Sequence, residues 1–178
     1  MKKWVRTLLF SAIFSVAAFA VDAGFTVGLS SYAISPILDP FLEFTIPLMI
    51  IVIGFNVINS RPAALEIALI SALVYAASSL LFLVPGIIIS GVIIEGFCFL
   101  IGYRGLKASL AQGGTFAVIN GILSFVFGAL FLGAHSIIRV TPTLILILTP
   151  AFLVEGIVIG SISWKIFNYM MKSGIIKS

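Results

Sequence analysis

The chain has 178 residues, of which 61% are hydrophobic and 9% are charged, and its formal net charge is +4. A soluble domain carries roughly 25% charged residues, so this composition excludes a soluble enzyme or ATPase module. It predicts an all-α integral membrane protein with one domain over residues 1–178. The Lys and Arg residues lie at the ends of apolar segments, which also argues against a nucleic-acid interface.

The first apolar segment, residues 7–29, follows a basic start and predicts a membrane-spanning helix. A cleaved signal peptide is the alternative, because Ala18-Phe19-Ala20 has the small-x-small pattern of a cleavage site. The apolar run continues beyond this point to Leu29, as a spanning helix requires. We therefore favour the helix and keep the signal peptide as the alternative.

The rest of the chain alternates apolar segments with short polar connections. Pro, Asp and Arg residues mark the connections, which we place at residues 30–42, 59–62, 103–112 and 135–143. The intervening segments predict five further membrane-spanning helices, at residues 43–58, 63–83, 86–102, 113–134 and 144–167.

The distribution of Lys and Arg predicts the orientation of these six spans. If the N-terminus is cytoplasmic, nine of the ten basic residues fall on the cytoplasmic side, and only Arg139 falls outside. The opposite orientation reverses this ratio, against the positive-inside rule. We therefore expect a multi-pass protein of the cell membrane with both termini in the cytoplasm.

Two acidic residues, Glu95 and Glu155, lie well inside predicted spans four and six. A charged side chain at this depth is costly and marks ion or solute pathways. No Lys or Arg is predicted near them, so a cationic or amine-bearing solute is the natural complement. The alternative is that both carboxyls are protonated and form hydrogen bonds between helices. Their Glu-Gly dipeptides place them at similar depth on helices that can face each other.

Several further polar and aromatic residues are candidates for this solute site. Tyr75 lies on a polar stripe of the third span, Asn120 lies on a polar face of the fifth, and the only histidine lies in the outer connection before the sixth. An aromatic ring on the fourth span offers a flat surface to a heterocycle. The candidate substrate-binding residues are Glu95, Glu155, Tyr75, Phe99, Asn120 and His135.

Sequence motifs for covalent chemistry are not found. The chain has no G-x-S-x-G, H-E-x-x-H or phosphate-loop pattern, and we expect no enzymatic activity. The chain has one cysteine and one histidine, so we expect no metal ligands and no cofactor.

Three stretches resemble the substrate-binding S components of energy-coupling factor (ECF) vitamin transporters, most closely the hydroxymethylpyrimidine/thiamine type. They are Asn59–Val74 (NSRPAALEIALISALV), Glu95–Gly105 (EGFCFLIGYRG) and the fifth span, which is rich in small residues. The resemblance implies a solute-binding subunit for a vitamin or its precursor, with a pocket in the outer half of helices four to six. The connection after helix one would cap that pocket.

The same resemblance implies partner proteins, namely a membrane coupling subunit and two ATPase subunits. The family docks the coupling subunit through an Ala-x-x-x-Ala pattern in helix one, which this chain lacks. Small residues let another helix approach closely, so we expect docking through the nearest equivalents. These are Ser11, Ser15, Ala20, Gly24 and Gly28.

Two other functions remain open at this stage. A self-sufficient carrier or channel for a small solute or ion needs no partner, and a membrane scaffold protein needs no solute site. Binding of a solute by the purified chain would distinguish an S component or a carrier from a scaffold. Uphill accumulation of the solute by the chain alone would distinguish the carrier from the S component.

The predicted topology is testable with reporter fusions along the chain. Fusions at Asn59, Leu106 and Ser178 should report a cytoplasmic location, and fusions at Pro36, Pro85 and Arg139 an external one, because consecutive spans alternate in direction. A cytoplasmic signal at Pro85 would contradict six spans. A mature chain that starts near Val21 would support the signal peptide instead.

Overall fold

A computed structural model describes residues 3–29, 39–78, 80–81, 83–132 and 142–176. Within these ranges the protein is all-helical, as predicted, and has no strands. The six helices are α1 (Lys3–Leu29), α2 (Asp39–Ile58), α3 (Ala63–Ala77), α4 (Val84–Ile101), α5 (Leu106–Leu132) and α6 (Pro142–Lys172).

Five helix boundaries differ from the predicted spans by four residues or more. α1 begins at Lys3 rather than at residue 7, and α6 ends at Lys172 rather than at residue 167. α2 begins at Asp39 rather than at residue 43, and α3 ends at Ala77 although the apolar sequence continues. α5 begins at Leu106, so most of the predicted connection 103–112 is helical. Hydropathy located the apolar segments, whereas helix ends depend on local residues. Gly102 and Gly105, with φ of 97° and 128°, confine the turn between α4 and α5 to four residues.

Three helices are long and apolar enough to cross a membrane. They contain the segments Trp4–Gly24, Val84–Ile101 and Thr143–Lys172. Many large apolar side chains of these segments face outward from the bundle, as expected for surfaces in contact with lipid. Thr45–Ile58 and Ala63–Ala77 are shorter apolar helices.

α2 is the central helix of the bundle and packs against α1, α3, α5 and α6. Its residues from Pro47 to Val57 are buried or nearly so, because this stretch is apolar on every side apart from Asn56. α4 packs against α3 and α5, and α6 packs against α5 and α2. The helices that carry Glu95 and Glu155 are therefore both packed on α5, rather than on each other as expected from the sequence.

The helices alternate in direction, which brings several connections to one end. α1 and α3 run parallel, since Thr7 contacts Ser60 near their starts and Asp22 contacts Tyr75 near their ends. Arg104 and Gly105 contact Asn56, so the 59–62 and 102–105 connections lie at the same end as the start of α1. We call this the basic end, because it carries Arg6, Arg61, Arg104 and Lys107.

Small residues bring α5 and α6 into backbone contact. A Cβ atom on Gly156 would overlap the carbonyl oxygen of Gly113, and one on Gly160 would overlap that of Ser109. The two residues of each pair, Ser109/Gly113 on α5 and Gly156/Gly160 on α6, lie four positions apart. Each pair therefore occupies one face of its helix. Close approach of this kind is a common means of holding helices together in membranes.

Replacement of Gly156 by alanine tests this contact. The added methyl group has no space against α5, so Gly156→Ala should lower the free energy of unfolding by roughly 1–3 kcal/mol. Gly96→Ala is the matched control, because a Cβ atom there meets nothing within 4 Å. It should be neutral or slightly stabilising. Unfolding of the purified proteins in detergent measures both, and equal losses would show that the α5–α6 contact is not close.

Candidate functional site

The carboxylate of Glu95 binds the start of α3 from the neighbouring helix α4. Its Oε2 accepts hydrogen bonds from the backbone N–H groups of Ala64 at 3.1 Å and Leu65 at 3.3 Å. Its Oε1 accepts a hydrogen bond from the hydroxyl group of Tyr103. Three donors therefore compensate the half-buried carboxylate.

This contact completes the hydrogen bonding of the first turn of α3. The first N–H groups of a helix have no acceptor within the helix. Pro62, at the N-cap position, has no N–H group and no side chain that can accept a hydrogen bond. Ala63 donates to the carbonyl oxygen of Ser60, and Glu95 accepts from the next two N–H groups. Glu95 is thus an N-cap supplied by another helix, and it also places negative charge at the positive end of α3.

Tyr103 fixes the other side of the same carboxylate. Burial raises the pKa of the Tyr103 phenol above its ordinary value, and the hydrogen bond to Glu95 adds to this rise. The phenol therefore stays protonated around neutral pH and remains a donor to Glu95.

Further polar contacts at the basic end surround Glu95. The side-chain amide of Gln112 donates to the carbonyl oxygen of Tyr103 at 3.1 Å. Asn56 is fully buried, donates to Ser109 at 2.8 Å and accepts from the backbone N–H of Gly105 at 3.2 Å. Gln112 also donates to the Sγ atom of Cys98 at 3.3 Å, so these bonds connect α2, α4 and α5 in a structural network at the basic end.

Glu155 lies in a different environment, between α6 and α2. Its Oε1 accepts a hydrogen bond from the hydroxyl group of Thr45 at 2.9 Å. Its Oε2 is buried and has no hydrogen-bond partner among the described residues. A buried carboxyl oxygen without a partner is costly, so this atom of Glu155 can accept a hydrogen bond from a ligand.

Tyr75 lies near the end of α3 that is opposite to the basic end. Its hydroxyl group donates to Asp22 of α1, and its ring packs edge-on against Phe19 at a centroid distance of 5.0 Å. Tyr75 thus joins α3 to α1. Neither contact involves α6, which carries Glu155.

The remaining candidate substrate-binding residues are spread over the bundle. Asn120 is buried near the middle of α5 and lies close to Gly86 of α4, and its Oδ1 has no hydrogen-bond partner within the described ranges. Phe99 lies at the basic end with its ring exposed and beneath the guanidinium group of Arg61. His135 lies outside the described residues. The five described candidates are therefore spread over α3, α4, α5 and α6, with Glu95 and Phe99 toward the basic end and Tyr75 toward the opposite end.

The expected docking face of α1 divides into two parts. Ser11 and Ser15 are fully buried and donate to the Glu66 carboxylate and to the carbonyl oxygen of Ile67, both on α3. They hold the bundle together and offer no surface to a partner. Ala20 and Gly24 are exposed, and a Cβ atom on Gly24 would meet nothing within 4 Å. The surroundings of Gly28 lie outside the described part.

The sequence analysis missed Thr45 and Tyr103, which hold the two intramembrane carboxyls. A hydroxyl group in the apolar sequence of α2 was a signal for Thr45. Tyr103 follows Glu95 by eight residues and lies in the turn after α4, so helical periodicity does not predict that the two side chains meet. Pro62 at a helix start was the available signal for Glu95, because a helix without a capping side chain needs an acceptor from elsewhere.

Metal binding and similarity to known proteins add no further functional residues. Among the described residues, no group of three or more His, Cys, Asp or Glu could hold a metal ion. No family model matches the chain, and the searches of curated proteins and of solved structures found no match.

Replacement of Glu95 by alanine tests its structural role. Glu95→Ala leaves the N–H groups of Ala64 and Leu65 without acceptors and should cost roughly 2–4 kcal/mol of unfolding free energy. Glu66→Ala is the control, since it removes one hydrogen bond from Ser11 in the same helical turn and should cost about 1 kcal/mol. Detergent unfolding of both variants measures the difference. Equal stability of Glu95→Ala and the parent would contradict the cap.

Proposed function

We propose that this protein is a membrane-embedded solute-binding subunit, and that Glu155 is its principal solute contact. The observation that carries the proposal is the buried Oε2 atom of Glu155, for which the described part of the chain supplies no hydrogen-bond partner. We further propose that the chain crosses the membrane six times with both termini in the cytoplasm. On this proposal it acts as the S component of an ECF-type importer.

The charge distribution around Glu155 favours a positively charged or donor-rich solute. α2 contains no Lys or Arg, and the first basic residue of α6 after Glu155 is Lys165. Ten residues of helix separate them, about 15 Å. Protonation alone leaves a neutral carboxyl that still needs partners, whereas an amine or amidine group of a solute gives Oε2 a charge-assisted hydrogen bond.

Glu155 and Glu95 have different roles in this proposal. Glu95 already accepts three hydrogen bonds, so a solute there would have to displace the start of α3. Glu155 accepts a hydrogen bond from Thr45 through its Oε1 atom alone. Glu155 lies near the middle of α6, as Asn120 does in α5, so a solute at mid-depth is a reasonable expectation for this part of the bundle.

The exposed face of α1 supports a partner in the membrane. Ala20 and Gly24 lie on the surface together with the exposed side chains of Ile13 and Val16. A helix of another protein can approach closely at the small residues and bury the larger ones. In the proposal this face contacts the coupling subunit, and the two ATPase subunits act through it.

The proposed solute class is a vitamin or vitamin precursor, by resemblance to the hydroxymethylpyrimidine/thiamine type. An aminopyrimidine ring carries N–H donors that suit a carboxylate acceptor such as Glu155. Thiamine and hydroxymethylpyrimidine are therefore the first probes to test.

Binding by the purified protein tests the role of Glu155. Glu155→Gln keeps the acceptor for Thr45 but removes the charge, so it should weaken binding of the probe roughly tenfold or more, the equivalent of about 1.4 kcal/mol. Glu66→Gln, which keeps an acceptor for Ser11 at the basic end, should bind like the parent. Isothermal titration calorimetry in detergent measures these affinities.

Two results would contradict this function. Parent-like binding by Glu155→Gln would remove Glu155 from the site. Uphill accumulation of the probe in liposomes by this chain alone would favour a self-sufficient carrier, because an S component needs its coupling subunit and ATP. If the parent binds neither probe, the proposed solute class is wrong.

A further inference from the structure

Arg61 differs from the other arginines at the basic end. Its guanidinium group lies 3.6 Å from the centroid of the Phe99 ring, whereas those of Arg104 and Arg6 lie 5.2 and 5.7 Å from their nearest rings. Arg104 also donates to the carbonyl oxygen of Asn56. Arg61 is exposed and donates no hydrogen bond to any residue that the structure describes.

The stacked geometry leaves the donors of Arg61 available. A guanidinium group that lies flat on an aromatic ring keeps its N–H groups at the edge of the plane, where a phosphate can accept two of them at once. In the described part of the chain, Arg61 forms no hydrogen bond or ion pair with Glu95, whose two oxygen atoms accept from the start of α3 and from Tyr103.

The position of Phe99 relates this pair to the membrane surface. Phe99 lies in the last turn of the apolar segment Val84–Ile101, which is long enough to cross a membrane. Phe99, Leu100 and Ile101 are all exposed, so this end of α4 presents apolar side chains outward. The Arg61–Phe99 pair therefore lies where the apolar surface ends, at the depth of lipid headgroups.

We propose that Arg61 and Phe99 form a binding site for the phosphodiester group of an anionic phospholipid. The guanidinium group binds the phosphate oxygens, the Phe99 ring holds the guanidinium plane, and the exposed side chains of Leu100 and Ile101 contact the acyl chains. The charge of Arg61 selects an anionic lipid over a zwitterionic one, whose headgroup carries its own cation. This site is independent of Glu155 and of the proposed transport function.

Native mass spectrometry of the purified protein tests the site with phosphatidylglycerol and phosphatidylcholine as probes. The parent should retain phosphatidylglycerol with several-fold higher affinity than phosphatidylcholine, because bidentate charge-assisted bonds form with the anionic lipid. Arg61→Ala should weaken phosphatidylglycerol binding roughly tenfold, and Arg61→Lys should restore only part of it, because an ammonium group lacks the planar edge. Lys165→Ala is the control and should bind like the parent. Lys165 is exposed and also lies at the basic end, two residues before Phe167, whose ring lies beneath Arg104.

Phe99→Leu adds a variant that keeps every charge. It removes the ring beneath the guanidinium group and should weaken binding of phosphatidylglycerol by a smaller factor than Arg61→Ala. Circular dichroism confirms that each variant is folded. If Arg61→Ala does not fold, the comparison of Phe99→Leu and Arg61→Lys with Lys165→Ala decides the question.

Three outcomes would overturn the proposal. Equal losses in Arg61→Ala and Lys165→Ala would show that attraction to the whole basic end, and not a site, binds the lipid. Competition by inorganic phosphate at the same concentration as the lipid would show that the site binds a soluble anion. Equal retention of the two lipids by the parent would show that headgroup charge is not recognised.

Discussion

The carboxylate of Glu95 is the contact on which the basic end of this bundle depends. It belongs to α4 and joins this helix to two other parts of the chain. It accepts hydrogen bonds from backbone N–H groups at the start of α3 and from the hydroxyl group of Tyr103. Without it, two backbone N–H groups at the start of an apolar helix have no acceptor in the described structure. Ala64 is buried, so water cannot easily replace such an acceptor, and the cost is larger than at an exposed helix end.

Polar residues and small residues hold the helices together at different places in the bundle. At the basic end, side-chain hydrogen bonds through Asn56 and Gln112 join helices α2, α4 and α5. Between α5 and α6, direct backbone contact at Gly113 and Gly156 replaces side-chain bonding. Lipid tails are as apolar as a leucine side chain, so burial of apolar surface alone does not fix helix partners, and both devices are needed. Among the described residues, four buried side-chain oxygen atoms have no hydrogen-bond partner, and the Oε2 atom of Glu155 is the only carboxyl oxygen among them.

The sequence predicted the helical class and the approximate position of each described helix. Hydropathy indicates the apolar helices, and the Pro, Asp and Arg residues between them mark the connections. The sequence did not distinguish Glu95 from Glu155, which look alike as single acids in apolar segments. Their difference depends on which helices pack together and in which register. The acceptor for Ala64 and Leu65 lies about thirty residues away in sequence, and the donor to Glu155 lies 110 residues away. Ser11 and Ser15 were assigned to an outer face for the same reason, since small residues suit a partner protein and a neighbouring helix equally.

Hydrogen exchange at two backbone amides tests the central claim most directly, namely that Glu95 is a structural acceptor and is therefore not the solute contact. If Glu95 caps α3, the Ala64 and Leu65 amides of the parent should exchange slowly, like amides within α3. Both should exchange much faster in Glu95→Ala, while the amide of Ala63, which donates to Ser60, should change less. Fast exchange of Ala64 and Leu65 in the parent, unaffected by the substitution, would contradict this claim.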